Sequence, residues 1–130
     1  HAGMRSFLSK HRRDVRGAFV VNLDCVGAGD LTVLTREGAD VPRRSDRRLG
    51  RLLANAARDL HFEMGQARYD WTSTDAHPAM RSSMRAATIM GFNENGLPAL
   101  SRTLDDVAEN VSGDQAHAVA EIVTEMIRRS

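Results

Sequence analysis

The chain has 130 residues, enough for one modest domain with a core of its own. Its 42% hydrophobic and 27% charged content excludes a disordered polyelectrolyte, and a net charge of +1 supplies no whole-molecule field to draw nucleic acid or a membrane surface. The longest apolar run, Ala18-Phe19-Val20-Val21, falls far short of a membrane span.

In chain order, Met4, Phe7, Leu8 and His11 share one helical face, so the spacing predicts a short helix over 4–11. After Gly17, the run Ala18-Phe19-Val20-Val21-Asn22-Leu23 reads as a strand buried on both faces, with Asp24 at its C-terminal end. Residues 31–35 read as a second strand across a glycine-containing turn. Ser45 is placed to cap the clearest helix, whose apolar stripe is Leu49, Leu52, Leu53, Ala56, Ala57 and Leu60. Residues 65–78 read as irregular, 86–92 as a third strand, and 93–98 as a loop rich in Asn and Gly. Ser112 and Gln115 have capping-box spacing and open a terminal helix, with Val119, Ile122, Val123, Met126 and Ile127 as its inward stripe.

Strands alternating with helices predict an α/β domain of about three strands and three to four helices, layered helix–sheet–helix. Three strands fall below the usual sheet of about five or six, which suggests that part of the sheet lies outside residues 1–130.

A carboxylate just past the C-terminal end of a strand is where open α/β sheets place ligands. Asp24 has that place, although an Asp before a glycine-rich turn also serves simply as a turn former. Cys25 is the only cysteine, so no internal disulfide forms; beside a strand it reads as a small buried hydrophobe rather than a nucleophile. That usage fits a reducing compartment without establishing one. The first residues carry no signal-peptide pattern, and a segment upstream could carry one, so the compartment stays open. His77 stands apart from His1, His11, His61 and His117, and the chain has neither HExxH nor a CxxC pair, so a self-contained zinc site is not expected. Arg43, Arg44, Arg47, Arg48 and Arg51 form a basic run without interleaved aromatics, which reads as a solvated helix face rather than a nucleic-acid contact. Asp105, Asp106, Glu109 and Asp114 sit near expected helix starts, where carboxylates suit the helix dipole.

Four stretches carry a resemblance, the last more loosely than the others. Arg102-Thr103-Leu104-Asp105-Asp106-Val107-Ala108-Glu109-Asn110-Val111 resembles the late His-Thr-x-Asp-Asp-x-x-Glu-Asn-Leu motif of zinc-dependent aminopeptidases and the related glutaminyl cyclases, with Arg102 where the family has a metal-binding His. Asn22-Leu23-Asp24-Cys25-Val26-Gly27 is similar to the family's Asn-x-Asp-Met-x-Gly stretch, and Gly3-Met4-Arg5-Ser6-Phe7 to the Gly-Ser-x-x-Phe segment that follows a Glu-Glu pair. Ser73-Thr74-Asp75-Ala76-His77-Pro78 is a looser match to the Ser-Asp-His-x-Pro-Phe loop beside the active site.

The resemblance implies a C-terminal portion of a single zinc-exopeptidase-like domain. It implies Asp24 as a zinc ligand, Arg102 at the usual His position, and Asp75 and His77 lining the cleft. It also implies peptide or small amine-containing substrates and hydrolysis by a metal-bound water that a glutamate deprotonates. That glutamate and most ligands would lie upstream of His1, so this chain alone is expected to be inactive and not to hold zinc. An exposed sheet edge would favour a homo-oligomer. Two other readings remain open: a non-catalytic relative that binds through the old cleft, favoured by Arg102, and an unrelated small α/β interaction domain.

Overall fold

The computed structural model describes residues 1–70, 72–93, 98 and 112–130. Among them are four helices and five strands: α1 (Ala2–His11), β1 (Phe19–Asp24), β2 (Asp30–Glu37), β3 (Arg43–Arg44), α2 (Arg47–Asp59), β4 (Gly65–Tyr69), α3 (Ala76–Arg81), β5 (Arg85–Phe92) and α4 (Gly113–Arg129). The expected α/β class holds, with two more strands than the sequence pattern predicts.

The strands form one mixed sheet in the order β1-β5-β2-β3, with β4 also paired to β2. β1 runs parallel to β5, β2 antiparallel to β5, and β4 parallel to β2. Because side chains alternate along a strand, the two faces separate cleanly. On one face Leu31, Val33, Ala87 and Ile89 pack against Leu49 and Leu53 of α2 and Val119, Ile122 and Met126 of α4. On the other, Leu8 of α1 and Ala76, Ala79 and Met80 of α3 cover Ala86, while Leu34, Tyr69, Met90 and Phe92 form a third cluster. Leu49 and Leu53 are fully buried, each contributing roughly 1.5–3 kcal/mol.

Several expectations need correction. The cap of α2 is Asp46, whose Oδ2 accepts from the Leu49 N–H at 2.8 Å, while Ser45 Oγ donates to Thr35 O. Residues 65–69, expected to be irregular, are β4, ordered by pairing with β2. β1 is not buried on both faces; among the described residues it pairs only with β5, its residues are mostly half-buried, and Leu23 is 47% exposed. On α4, Ile127 is 61% exposed and Ala118 takes a place in the buried stripe. Cys25 is exposed rather than buried. Within the basic run, Arg43 and Arg44 form β3, and Arg47, Arg48 and Arg51 lie exposed on α2 as expected.

Candidate functional site

The β1–β5 register places Asn22 beside Thr88 and Asp24 beside Met90. Val20, Asn22 and Asp24 therefore share the face covered by α1 and α3. Asp24 ends β1, and the chain turns at once: Cys25 takes a left-handed φ of 52°, and its thiol donates to Asp24 Oδ1 at 3.2 Å.

The loop after Asp24 is held from two sides. Gly91 of β5 donates its N–H to Cys25 O, and a Cβ on Gly91 would run into the backbone oxygens of Ala28 and Cys25. Only glycine lets the loop lie this close to the strand. From the other side, Gln115 Nε2 in the first turn of α4 donates to both Val26 O and Gly29 O at 3.0 Å, and the Ser112 N–H donates to Gly27 O at 2.6 Å. Neither the close approach at Gly91 nor the anchoring role of Gln115 is among the features expected from the sequence. A glycine inside an otherwise apolar strand was the available signal for the first; nothing local marks the second.

A buried polar cluster lies further down the same face. Glu37, at the end of β2, has no exposed surface. Its Oε1 accepts from the Thr74 N–H at 2.8 Å and from Thr74 Oγ1 at 2.7 Å, and its Oε2 accepts from Thr88 Oγ1 at 3.0 Å. The carboxyl thus ties the loop before α3 to the middle of β5. Nearby, a hydrogen bond from Arg68, with a second from Arg36, holds the Asp70 carboxyl below the usual carboxylate range.

That loop carries the other expected site residues. Asp75 is exposed at the start of α3 and pairs with His1 Nδ1 at 3.0 Å, while His1 Nε2 bonds Ser73 Oγ at 2.8 Å. His77 is buried rather than at the surface, with Nε2 2.8 Å from Val41 O. Gly38 has a φ of 117°, and a Cβ there would press on Val41 O and the His77 ring. His1, Ser73 and His77 line one concavity, of which Asp24 is not a lining residue. Arg102 lies outside the described residues. Among the described residues no group of three His, Cys, Asp or Glu side chains is placed to hold a metal ion. Asp24 and the adjoining Cys25 thiol fall short of the three or four protein ligands that zinc takes.

No family model and no curated protein matches the sequence. Solved structures share its fold. Legionella pneumophila LapA aminopeptidase superposes with a TM-score of 0.76 at 16% identity, over 95% of this chain and 34% of that one. BSAP, a zinc aminopeptidase from Bacillus subtilis, gives 0.74 at 17% identity, over 98% and 32%. An Acidobacteriales bacterium glutaminyl cyclase gives 0.68 at 18% identity, over 97% and 44%. The chain therefore has the fold of part of these proteins and spans about a third of the length of the two aminopeptidases.

Proposed function

We propose that residues 1–130 are the C-terminal portion of a peptidase-like domain whose complete form hydrolyses peptide bonds next to a free N-terminal amine. In this reading Asp24 is one zinc ligand, and Asp75 and His77 line the substrate cleft. The catalytic glutamate and most other ligands come from outside the chain. A fold by itself hosts many activities. What supports the reading is the anchoring of the loop that follows Asp24: Ser112 and Gln115, far away in sequence, both bond to it. The loop that follows Asp24 lies at the C-terminal end of β1, the kind of place where open α/β sheets take their ligands.

Calorimetric titration of the chain with zinc at neutral pH is expected to give no submicromolar site. A stoichiometric site abolished by Asp24→Ala would overturn the incomplete ligand set. The full-length protein is expected to cleave an aminoacyl p-nitroanilide, and to lose that activity on chelation and in Asp24→Asn. Activity that survives both treatments would remove Asp24 from the site.

Arg102 favours a second reading, a non-catalytic domain that binds peptides in the same cleft. A guanidinium has no free lone pair and keeps its charge, so it cannot stand in for a ligating imidazole. Peptide binding without turnover by the full-length protein is the result that reading expects. Self-association through β1 belongs to the proposal as well: among the described residues its outer side is unpaired and carries the exposed Leu23.

A further inference from the structure

We infer that the arginine-lined groove along the seam of α1 and α3 is a docking surface for acidic peptide segments. Three adjoining concavities of about 540, 300 and 810 Å³ follow this seam, and Arg81, the last residue of α3, lines all of them. Arg5 and Arg43 flank one end, and Arg12, Arg13 and Arg16 the other. At that far end Arg85 is fixed, donating to Gly17 O at 2.6 Å with its guanidinium 4.4 Å from the centre of the Phe19 ring.

Among the described residues the arginines of the groove outnumber its carboxylates, with Asp40 the one acid in the lining. Among the described residues Arg5, Arg12, Arg13, Arg16, Arg43 and Arg81 have no ion-pair partner, as is also true of Arg44, Arg47, Arg48 and Arg51 along β3 and α2, whereas Arg58, Arg68, Arg128 and Arg129 each pair with a carboxylate. Of the acids on this side, Asp14 and Asp75 are bonded to His11 and His1, which leaves Asp40 as the carboxylate lining the groove. The scaffold beneath is firm, since Leu8 of α1 and Ala79 and Met80 of α3 are in the core.

The chemistry of the lining selects the occupant. Planar guanidinium forks pair best with carboxylates or phosphates. Among the described residues no Phe, Tyr or Trp lines the groove to stack a base, which disfavours single-stranded nucleic acid. The surface is concave rather than flat, which disfavours a bilayer. The ten residues of α1 run about 15 Å, enough to seat roughly five residues of an extended peptide whose alternate acidic side chains face the arginines.

One end of the groove adjoins the cleft that His77 lines in the proposed function, so the test reads binding by the chain rather than hydrolysis, and either reading can fail without the other. Fluorescein-labelled hexaglutamate is titrated with the chain and followed by fluorescence anisotropy at low and at physiological ionic strength. Saturable binding that weakens with salt is expected. Arg81→Glu should lower the affinity by about tenfold or more. Arg58→Glu, which makes the same change in net charge on α2 across the sheet, should leave it unchanged. Melting curves confirm that each variant is folded; if Arg81→Glu is not, the Arg12→Glu, Arg13→Glu double variant takes its place. Absence of binding at low ionic strength would overturn the proposal, as would equal losses from Arg81→Glu and Arg58→Glu. Tighter binding to single-stranded DNA or to phosphatidylserine vesicles would reassign the groove to those partners.

Discussion

Glu37 offers the sharpest test of how the loop before α3 is held. Its carboxyl receives hydrogen bonds from the Thr74 N–H, the Thr74 hydroxyl and the Thr88 hydroxyl, all in the interior. In Glu37→Ala the Thr74 N–H loses its acceptor, at a cost of about 1–3 kcal/mol. The two hydroxyls stand 3.0 Å apart and can still pair with each other, which offsets part of the loss. The vacated side-chain volume adds a further cost of about 1–2 kcal/mol. The sum is about 2–5 kcal/mol before that offset, reaching the upper end of what single substitutions do. Glu37→Gln keeps one oxygen for Thr74 and turns its amide N–H toward Thr88, whose hydroxyl can accept instead, so about 1–2 kcal/mol is expected. Urea denaturation followed by circular dichroism measures both. A Glu37→Ala variant within about 1 kcal/mol of the parent would refute the reasoning, because the loop would then be held by its apolar contacts alone. Thr88→Val combined with Glu37→Gln should be clearly non-additive, since both change one network.

Gly91→Ala should cost about 2–3 kcal/mol, because the obstructing atoms are backbone oxygens that move only with the whole loop; a melting temperature unchanged from the parent would argue against the close approach of that loop. The Arg129 hydrogen bond holds the Asp59 carboxyl below the usual carboxylate range and joins α2 to α4. A depressed pKa in the folded state gives stability that is present above the ordinary carboxylate value and is lost as pH falls through the folded one. Asp59→Asn should therefore narrow the difference between neutral and acid-side melting temperatures, and an unchanged pH profile would contradict this. In light scattering over a concentration series the chain should grow beyond a monomer, whereas a monomer at high micromolar concentration with cooperative unfolding would mean that the β1 edge needs no partner.

What the sequence revealed follows the reach of each interaction. The α2 stripe was legible because helical periodicity is local, and Leu49, Leu53, Ala56 and Ala57 are buried as their spacing requires. The cap was misplaced by one residue because Ser45 and Asp46 are both competent, and only the contact of Ser45 with Thr35 decides between them. β4 was missed because Gly65-Gln66-Ala67-Arg68-Tyr69 has little strand character of its own and is extended by its partner β2. Asp24 was legible as a residue at a strand end. The Glu37 cluster was not, since Glu37 and Thr74 are 37 positions apart and neither announces the other. Arg102, the residue that raises the question of activity, lies outside the described residues.

The pairing of β1 with β5 has a kinetic consequence. It joins Asn22 to Thr88 across 66 positions, and closing a loop of that length costs roughly 4 kcal/mol of chain entropy before any contact repays it. Among the described residues a single hydrogen-bonded ladder holds β1, while β2 is held by three. β1 should therefore dock late in folding and open first, and its amides should exchange with solvent deuterium faster than those of β2 and β5. Asp24 rides on that strand, so whatever engages this carboxylate or the free side of β1 should slow exchange throughout residues 19–24.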